Sequence, residues 1–353
     1  MSTRASSRAS MRPAALAAVM TFALSACGGG AASPSVPASA GTVAASASPE
    51  AQPPATAFTF VSEEPALSRD QTRLDESFIN PGAVIEHEGR FHMFANLFTQ
   101  FPGPSHIPHL TSEDGVTWEL AERRPVFSSE EIEFAQNGAH VSAGFVTDDG
   151  TWVLIFETLS SLNPWFLGRA TAPAPEGPWT VDAEPILEPG PEGSIDAGGL
   201  SWPSVARVDG TYHLYYTAQQ VQRGDGVIAM ATSEDGETWT KVDEPVLSAE
   251  FEWEDESVDR PRVAVIPSGL AMVYSGRDLT TRGVAYSADG VTWERDGDLP
   301  VITMDDFPAS GRSWDAALIY REDMLHYILE IGPGTTAGGT ELYLATAPLP
   351  EGR

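Results

Sequence analysis

Apolar and polar residues alternate along most of this chain in short runs, and the runs come in pairs separated by a turn. Ala83-Val84-Ile85 is followed by Phe91-His92-Met93-Phe94, and Ser204-Val205-Ala206-Arg207-Val208 by Tyr212-His213-Leu214-Tyr215-Tyr216. Runs of this length, alternating with period two and rich in β-branched and aromatic residues, predict antiparallel hairpins. After each hairpin comes a phrase that occurs three times: Ser112-Glu113-Asp114-Gly115-Val116-Thr117-Trp118, Ser233-Glu234-Asp235-Gly236-Glu237-Thr238-Trp239 and Ser287-Ala288-Asp289-Gly290-Val291-Thr292-Trp293. A degenerate copy ends in Pro175-Glu176-Gly177-Pro178-Trp179. Each phrase joins an Asp-Gly turn to a strand-forming stretch. A tail follows each time: Pro125-Val126-Phe127, Pro185-Ile186-Leu187, Pro245-Val246-Leu247 and Pro300-Val301-Ile302.

The tryptophans of these phrases fall at intervals of 61, 60 and 54 residues. A fixed period of that size marks a radially repeated fold. Hairpin, turn-strand and tail make four strands, which is one propeller blade. Starts near Asn80, Gly138, Ser201, Asp259 and Trp314 predict an all-β, five-bladed β-propeller. The fifth blade, Ala316 to Ala347, runs out after three strands. Phe58-Thr59-Phe60-Val61 is expected to supply the missing one beside Leu342-Tyr343-Leu344, leaving no long open edge between first and last blades. No helix-period segment of useful length follows the leader.

Residues 1–27 read as an export signal: Arg4, Arg8 and Arg12, then apolar Ala14 to Leu24, then Leu24-Ser25-Ala26-Cys27. The ending resembles a bacterial lipobox, which implies a lipid on Cys27 and a protein anchored at the outer membrane, in the periplasm or at the cell surface. An ordinary signal cut nearby is the alternative. Cys27 is the only cysteine, so no disulfide can form within the chain. Residues 28–56, rich in Gly, Ala, Ser and Pro, read as a flexible tether, and residues 57–353 as the propeller domain. Charge narrows the partners. The chain carries 20 basic and 50 acidic residues. Without the three leader arginines 17 basic residues remain, a net charge of −33, and Lys241 is the only lysine. Such a surface repels nucleic acid and anionic bilayers, so the membrane is a partner only through the lipid. It also suits a salty medium, where screening relieves self-repulsion. A monomer is expected.

Asn80-Pro81-Gly82-Ala83-Val84, Ala172-Pro173-Ala174-Pro175-Glu176-Gly177-Pro178-Trp179, Gly210-Thr211-Tyr212-His213-Leu214-Tyr215-Tyr216 and the three Asp-Gly phrases together resemble the five-bladed β-propeller glycosidase clan. That clan holds the family 43 arabinanases and xylosidases, the invertases and levansucrases, and the mannoside phosphorylases. The resemblance runs over nearly all of residues 58–350. It implies a carbohydrate ligand and three acids at the inner-strand entrances: one opening blade one, an auxiliary aspartate, and a general acid in a Glu-Gly-Pro-like motif. The chemistry needs two carboxyl groups flanking a glycosidic bond, one ionised and one protonated.

The match at those positions is partial. Blade one reads Asn80-Pro81 where most of the clan reads Asp-Pro, although the mannoside phosphorylases also carry Asn-Pro; an amide orients a hydroxyl but does not act as a carboxylate. Asp259, in Val258-Asp259-Arg260-Pro261-Arg262, stands where the Glu-Gly-Pro motif would and is the leading general-acid candidate. Asp315 has comparable depth on blade five, and Asp75 and Asp196 are further candidates from loops. Each aspartate has a plainer reading as a turn or cap residue. Arg260, Arg262 and Arg312 form either a site for one acidic group on the ligand or inter-blade ion pairs. Trp202 and Trp314 open inner strands, where a ring face either stacks on sugar or simply packs. The four repeat tryptophans are expected in the core. His140, opening blade two, either hydrogen-bonds at the inner rim or stands beside an axial cluster. The resemblance leaves room for a structural calcium in the central channel, and no other metal or cofactor is expected. Two functions stay open: a glycosidase acting through funnel carboxyls, or a non-catalytic glycan-binding propeller marked by the loss of the blade-one aspartate.

Overall fold

The structure is a computed structural model, and it describes residues 51–353 except 75, 136, 161–163, 309–310 and 334–337. Five antiparallel sheets follow one another in chain order. The inner strands are Phe78–His87, Ala139–Val146, Gly199–Val208, Val258–Ile266 and Arg312–Arg321. Each pairs in a hairpin with a second strand: Arg90–Phe98, Trp152–Thr158, Thr211–Gln219, Gly269–Gly276 and Met324–Gly332. The protein has the five-bladed architecture that the repeat predicts. Among the described residues only four short 3-10 turns interrupt the strands.

Closure is as expected. Thr59–Phe60 pairs antiparallel with Glu341–Pro348, Thr59 opposite Thr346 and Phe60 opposite Ala345, and the Val61 N–H donates to Leu344 O at 2.9 Å. The outer edges differ in detail from the sequence reading. The fourth strand of blades one to four is the two-residue stretch after the repeat tryptophan, as in Thr240–Lys241. The Pro-led tails return to the third strand: Leu187, Leu247 and Ile302 make single bridges to it, while Phe127–Ser128 pairs with an extra strand, His106–Ile107. Proline lacks the N–H that a longer ladder would need.

The three Asp-Gly phrases fold alike. Ser112, Ser233 and Ser287 each accept the glycine N–H on Oγ at 2.8 Å. Asp114, Asp235 and Asp289 each accept the next two N–H groups on Oδ1 at 2.7–2.8 Å. The glycines have φ near 73–76°. A Cβ on Gly115 would lie 2.6 Å from Ile319 of blade five, and one on Gly236 2.7 Å from Phe145 of blade two. The repeated turn therefore docks each blade on its neighbour, and only glycine supplies both the left-handed turn and the close approach.

Burial follows the same logic. Five separate apolar clusters lie between adjacent blades, including the pair that closes the ring, where Ile79 and Phe91 meet Ile319 and Leu344. Trp118 and Trp179 are buried, and Trp239 and Trp293 are half-buried against these clusters. With the core between blades, the axis is left to polar groups.

Candidate active site

All five inner strands carry a β-bulge near their start, between Asn80 and Ala83, Val141 and Ala143, Ser201 and Ser204, Asp259 and Arg262, and Ser313 and Ala316. A bulge inserts an extra residue and re-aims the side chains beside it. Here the bulges sit on the wall of a cavity of about 770 Å³. At the bulges Gly82, Trp202 and Arg260 hold positive φ, 60°, 49° and 54°, the last two on the cavity wall. For tryptophan and arginine that is a strained backbone, of the sort that accumulates at binding sites.

Seven of the sequence-derived residues share the cavity wall: Asn80, His140, Trp202, Asp259, Arg260, Trp314 and Asp315. Asn80 Oδ1 accepts from Asn96 Nδ2 at 2.6 Å, which leaves the Asn80 amide N–H₂ facing His140 Nδ1 at 3.4 Å. An amide donor opposite Nδ1 places the imidazole hydrogen on Nε2. That Nε2 is buried without a protein partner. Burial lowers the His140 pKa to about 4, against a smaller upward pull from Asp315. The ring is thus neutral at pH 7 and offers one N–H to a ligand. Asp259 is similar in having one oxygen to spare. Its Oδ2 accepts from Ser257 Oγ at 3.0 Å, while Oδ1 is buried with no partner. Trp165, Trp202, Phe98 and Phe101 make an aromatic side, with Trp165 edge-on to Trp202 at 5.5 Å. A concave, largely apolar site with a few convergent polar groups is what a small ligand needs.

Five candidates lie elsewhere or outside the described residues. Asp196 is off the wall: Lys241 engages Oδ2, and Ser194 Oγ and the Gly190 N–H engage Oδ1 at 2.9 and 3.0 Å. The ion pair uses the carboxylate that was to reach the funnel. Arg312 is exposed and not part of the wall. Asp75 and Cys27 lie outside the described residues. Arg262, read either as a ligand contact or as an inter-blade ion pair, is the latter and lies below the cavity. It faces a small axial void of about 40 Å³ lined by all five inner strands. Its guanidinium donates to the carbonyls of Ala316, Trp202 (3.1 Å), Pro203 (3.3 Å) and Pro261 (3.0 Å), and to Asp315 Oδ1. Asp315 Oδ1 also accepts its neighbour's Ala316 N–H at 2.7 Å. Arg262 therefore joins blades three, four and five, and its guanidinium claims the oxygens on which an axial calcium would draw. Among the described residues no group of three His, Cys, Asp or Glu could hold a metal.

Two acids escaped the sequence reading. Glu330 lines the cavity and Glu157 pairs with His140 across the blade-two hairpin. Burial pushes the Glu330 carboxyl well above its usual range and Asp315 adds to this, while Thr340 and Arg260 pull back. Burial and Asp315 push Glu157 up to about 8, against Ser142, whose Oγ donates to Oε2 at 2.8 Å, and Arg262. The only trace of them in the sequence is compositional. Each is a lone glutamate in an apolar second strand, Ile328-Leu329-Glu330-Ile331 and Ile155-Phe156-Glu157.

The match to known proteins follows this geometry. The family model of β-1,4-mannooligosaccharide phosphorylases matches residues 203–332, a stretch that holds Asp259, Arg260, Asp315 and Glu330. A family 117 glycoside hydrolase of the marine bacterium Zobellia galactanivorans superposes with a TM-score of 0.61 at 15% identity, over 84% of this chain and 91% of its own. A glycosyl hydrolase of Bacteroides ovatus gives 0.56 at 16% identity, over 82% and 93%. The fold is that of the five-bladed glycosidase propeller clan. A structure from the GH130 family of mannoside phosphorylases, which contains hydrolases targeting β-1,2 mannosidic linkages in Candida mannan, gives 0.53 at 17% identity, over 76% and 84%. No curated protein matches the sequence. Within this clan fold the cavity opens at the inner-strand bulges, so its chemistry is decided by the residues named above and not by the scaffold.

Proposed function

We propose that the cavity cleaves a glycosidic bond, with Glu330 as the proton donor and Asp259 as the second carboxyl group. The observation that carries this is two carboxyls on one wall in unlike surroundings. Burial raises the Glu330 pKa well above the usual carboxyl range, and Asp259 presents an unpartnered oxygen. Environments that separate two carboxyl groups are how acid and base roles are divided. Glu330 gives its proton to the leaving oxygen as the C–O bond breaks. On the opposite face Asp259 either takes a proton from the water that bonds to the anomeric carbon or bonds there itself until water replaces it. The His140 Nε2–H and the Asn80 amide fix hydroxyls, and the tryptophan faces hold the ring. The sequence alone favoured Asp259 as the acid; the buried Glu330 takes that role here.

The test is turnover of a panel of aryl furanosides and pyranosides, with and without phosphate. Glu330→Gln is expected to lose at least about 100-fold in kcat/KM on poor leaving groups and less on good ones, and Asp259→Asn a comparable factor. Activity that needs protonated Glu330 persists above the usual carboxyl range and falls as pH rises through its raised pKa. Unchanged activity in both variants overturns the assignment. A second reading, a glycan-binding propeller without catalysis, is favoured by the Asn80 amide, and glycan binding with no turnover anywhere in the panel supports it. For location, we propose export and a lipid on Cys27. Labelling cells with a radioactive fatty acid is expected to mark the wild type and not Cys27→Ala; an unchanged, membrane-bound Cys27→Ala protein overturns it.

A further inference from the structure

A guanidinium held in a cavity wall without a hydrogen-bond acceptor is unfavourable, and half-buried Arg260 is in that state. Arg260 is fixed by its left-handed backbone and by Thr217 Oγ1, which accepts its N–H at 2.9 Å. Its guanidinium lies 3.7 Å over the Trp202 ring. Among the described residues nothing accepts a hydrogen bond from it, and its Nε is wholly shielded. Neighbouring arginines differ. Arg262 is paired with Asp315, Arg277 with Asp225 and Asp255, and Arg282 with the Tyr327 hydroxyl and the Thr281 and Ser313 carbonyls. Burial draws the Arg260 pKa down to about 10, with Asp259 and Asp315 resisting at a distance, so the group is still charged at neutral pH.

We propose that Arg260 receives the carboxylate of a uronic acid, carried on the sugar ring that sits at the Asp259–Glu330 pair. Stacking on Trp202 uses the face of the guanidinium and leaves its in-plane N–H groups for a planar, two-oxygen acceptor. The position within the site follows from charge. Arg260 follows Asp259 directly in the chain and lines the same cavity as Glu330, so the acidic group belongs to the sugar at the cleavage point and not to a remote one. The His140 Nε2–H is a second donor on the same wall. Net charge sets the limit: a chain of −30 repels a polyanion, and one local cation accommodates a single acidic group.

This inference rests on the glycan-cleaving reading, and its test separates the two. Calorimetry on the full chain compares p-nitrophenyl glucuronide with glucoside, and galacturonide with galactoside, in both anomers, at 50 mM and 500 mM salt. At least one acidic member is expected to bind at least about 10-fold tighter than its neutral partner, with the ratio falling at high salt. Arg260→Met is expected to bring that ratio to about one, and Arg260→Lys to restore part of it. Equal or tighter binding of the neutral members to the wild type overturns the proposal whatever the variants do, as does no binding of any acidic member. Neutral glycosides turned over only with inorganic phosphate, with the phosphate requirement raised in Arg260→Lys, also overturn it, since the anion is then a free one. Arg260-dependent binding of a uronide that is never cleaved leaves the proposal standing and removes the catalytic reading.

Discussion

At the scale of single residues, the acids divide by what lies around them. Asp259 was legible from its place at a blade entrance beside proline and arginines. Glu330 and Glu157 were not, because a second-strand glutamate gives no turn or motif signal and only the folded ring reveals its burial. Asp196 misled for the reverse reason: a loop aspartate can face any direction, and Lys241, distant in sequence, decided which. Glu157 gives a prediction about stability. Its pKa rises from an ordinary 4.5 to about 8 on folding. Between those values the folded chain binds a proton at Glu157 that the unfolded chain has released, so the stability this group contributes is full below pH 4.5 and declines as pH rises toward about 8. Asp315, Arg262, Ser142 and His140 face the group, and only their net effect is measured. Thermal melting of the wild type is expected to show this decline, and Glu157→Gln, which keeps an acceptor for Ser142, to remove the share of Glu157 and leave that of Glu330, whose pKa burial also raises. A decline as steep in the variant would place its origin elsewhere.

At the scale of elements, the repeat phrase made strand count and blade starts readable, since turn chemistry and alternation are local properties. The bulges were not readable. They follow from how inner strands bend at the axis, and they turn Trp202, Arg260 and Asp259 toward the cavity while Arg262 falls beneath it. Two arginines two residues apart on a regular strand would share a face. With the register shift between Asp259 and Arg262, one stacks on Trp202 and the other ties three blades together. Arg262→Met removes the cation and leaves buried Asp315 and four carbonyls without their donor. Breaking a buried pair from one side costs about 3–5 kcal/mol. Urea unfolding is expected to show a loss of that order, and Arg262→Lys to recover little of it, because a point charge cannot replace a fork. A loss below about 1 kcal/mol in Arg262→Met would mean that the inter-blade cores alone hold the ring.

At the scale of the whole molecule, the fold is a closed circle whose last sheet is completed from the other end of the chain. Phe58 lies 5.7 Å from the Tyr327 ring and Phe60 meets Phe307 edge-on at 5.9 Å. Upstream, Thr56 Oγ1 shares a 2.6 Å hydrogen bond with Tyr286, and Asp296 accepts the Ala55 and Thr56 N–H groups at 3.2 and 2.6 Å. The segment from Gln52 to Val61 therefore fastens blade five and also reaches blade four. Sequence could suggest this because blade five visibly lacked a strand, whereas the contacts to Asp296 and Tyr286 had no local signature. Without the segment, Glu341–Pro348 keeps only the bridge from Leu67 to Leu342 and is otherwise a bare edge, open to pairing with another copy. Phe60→Ala gives up part of one aromatic side chain's burial and is expected to lose at most about 1.5–3 kcal/mol while remaining monomeric. Deleting everything before Ser62 is expected to cost more and to add concentration-dependent association in sedimentation. A truncated chain as stable and as monomeric as the full one would show that the ring holds without its closing strand.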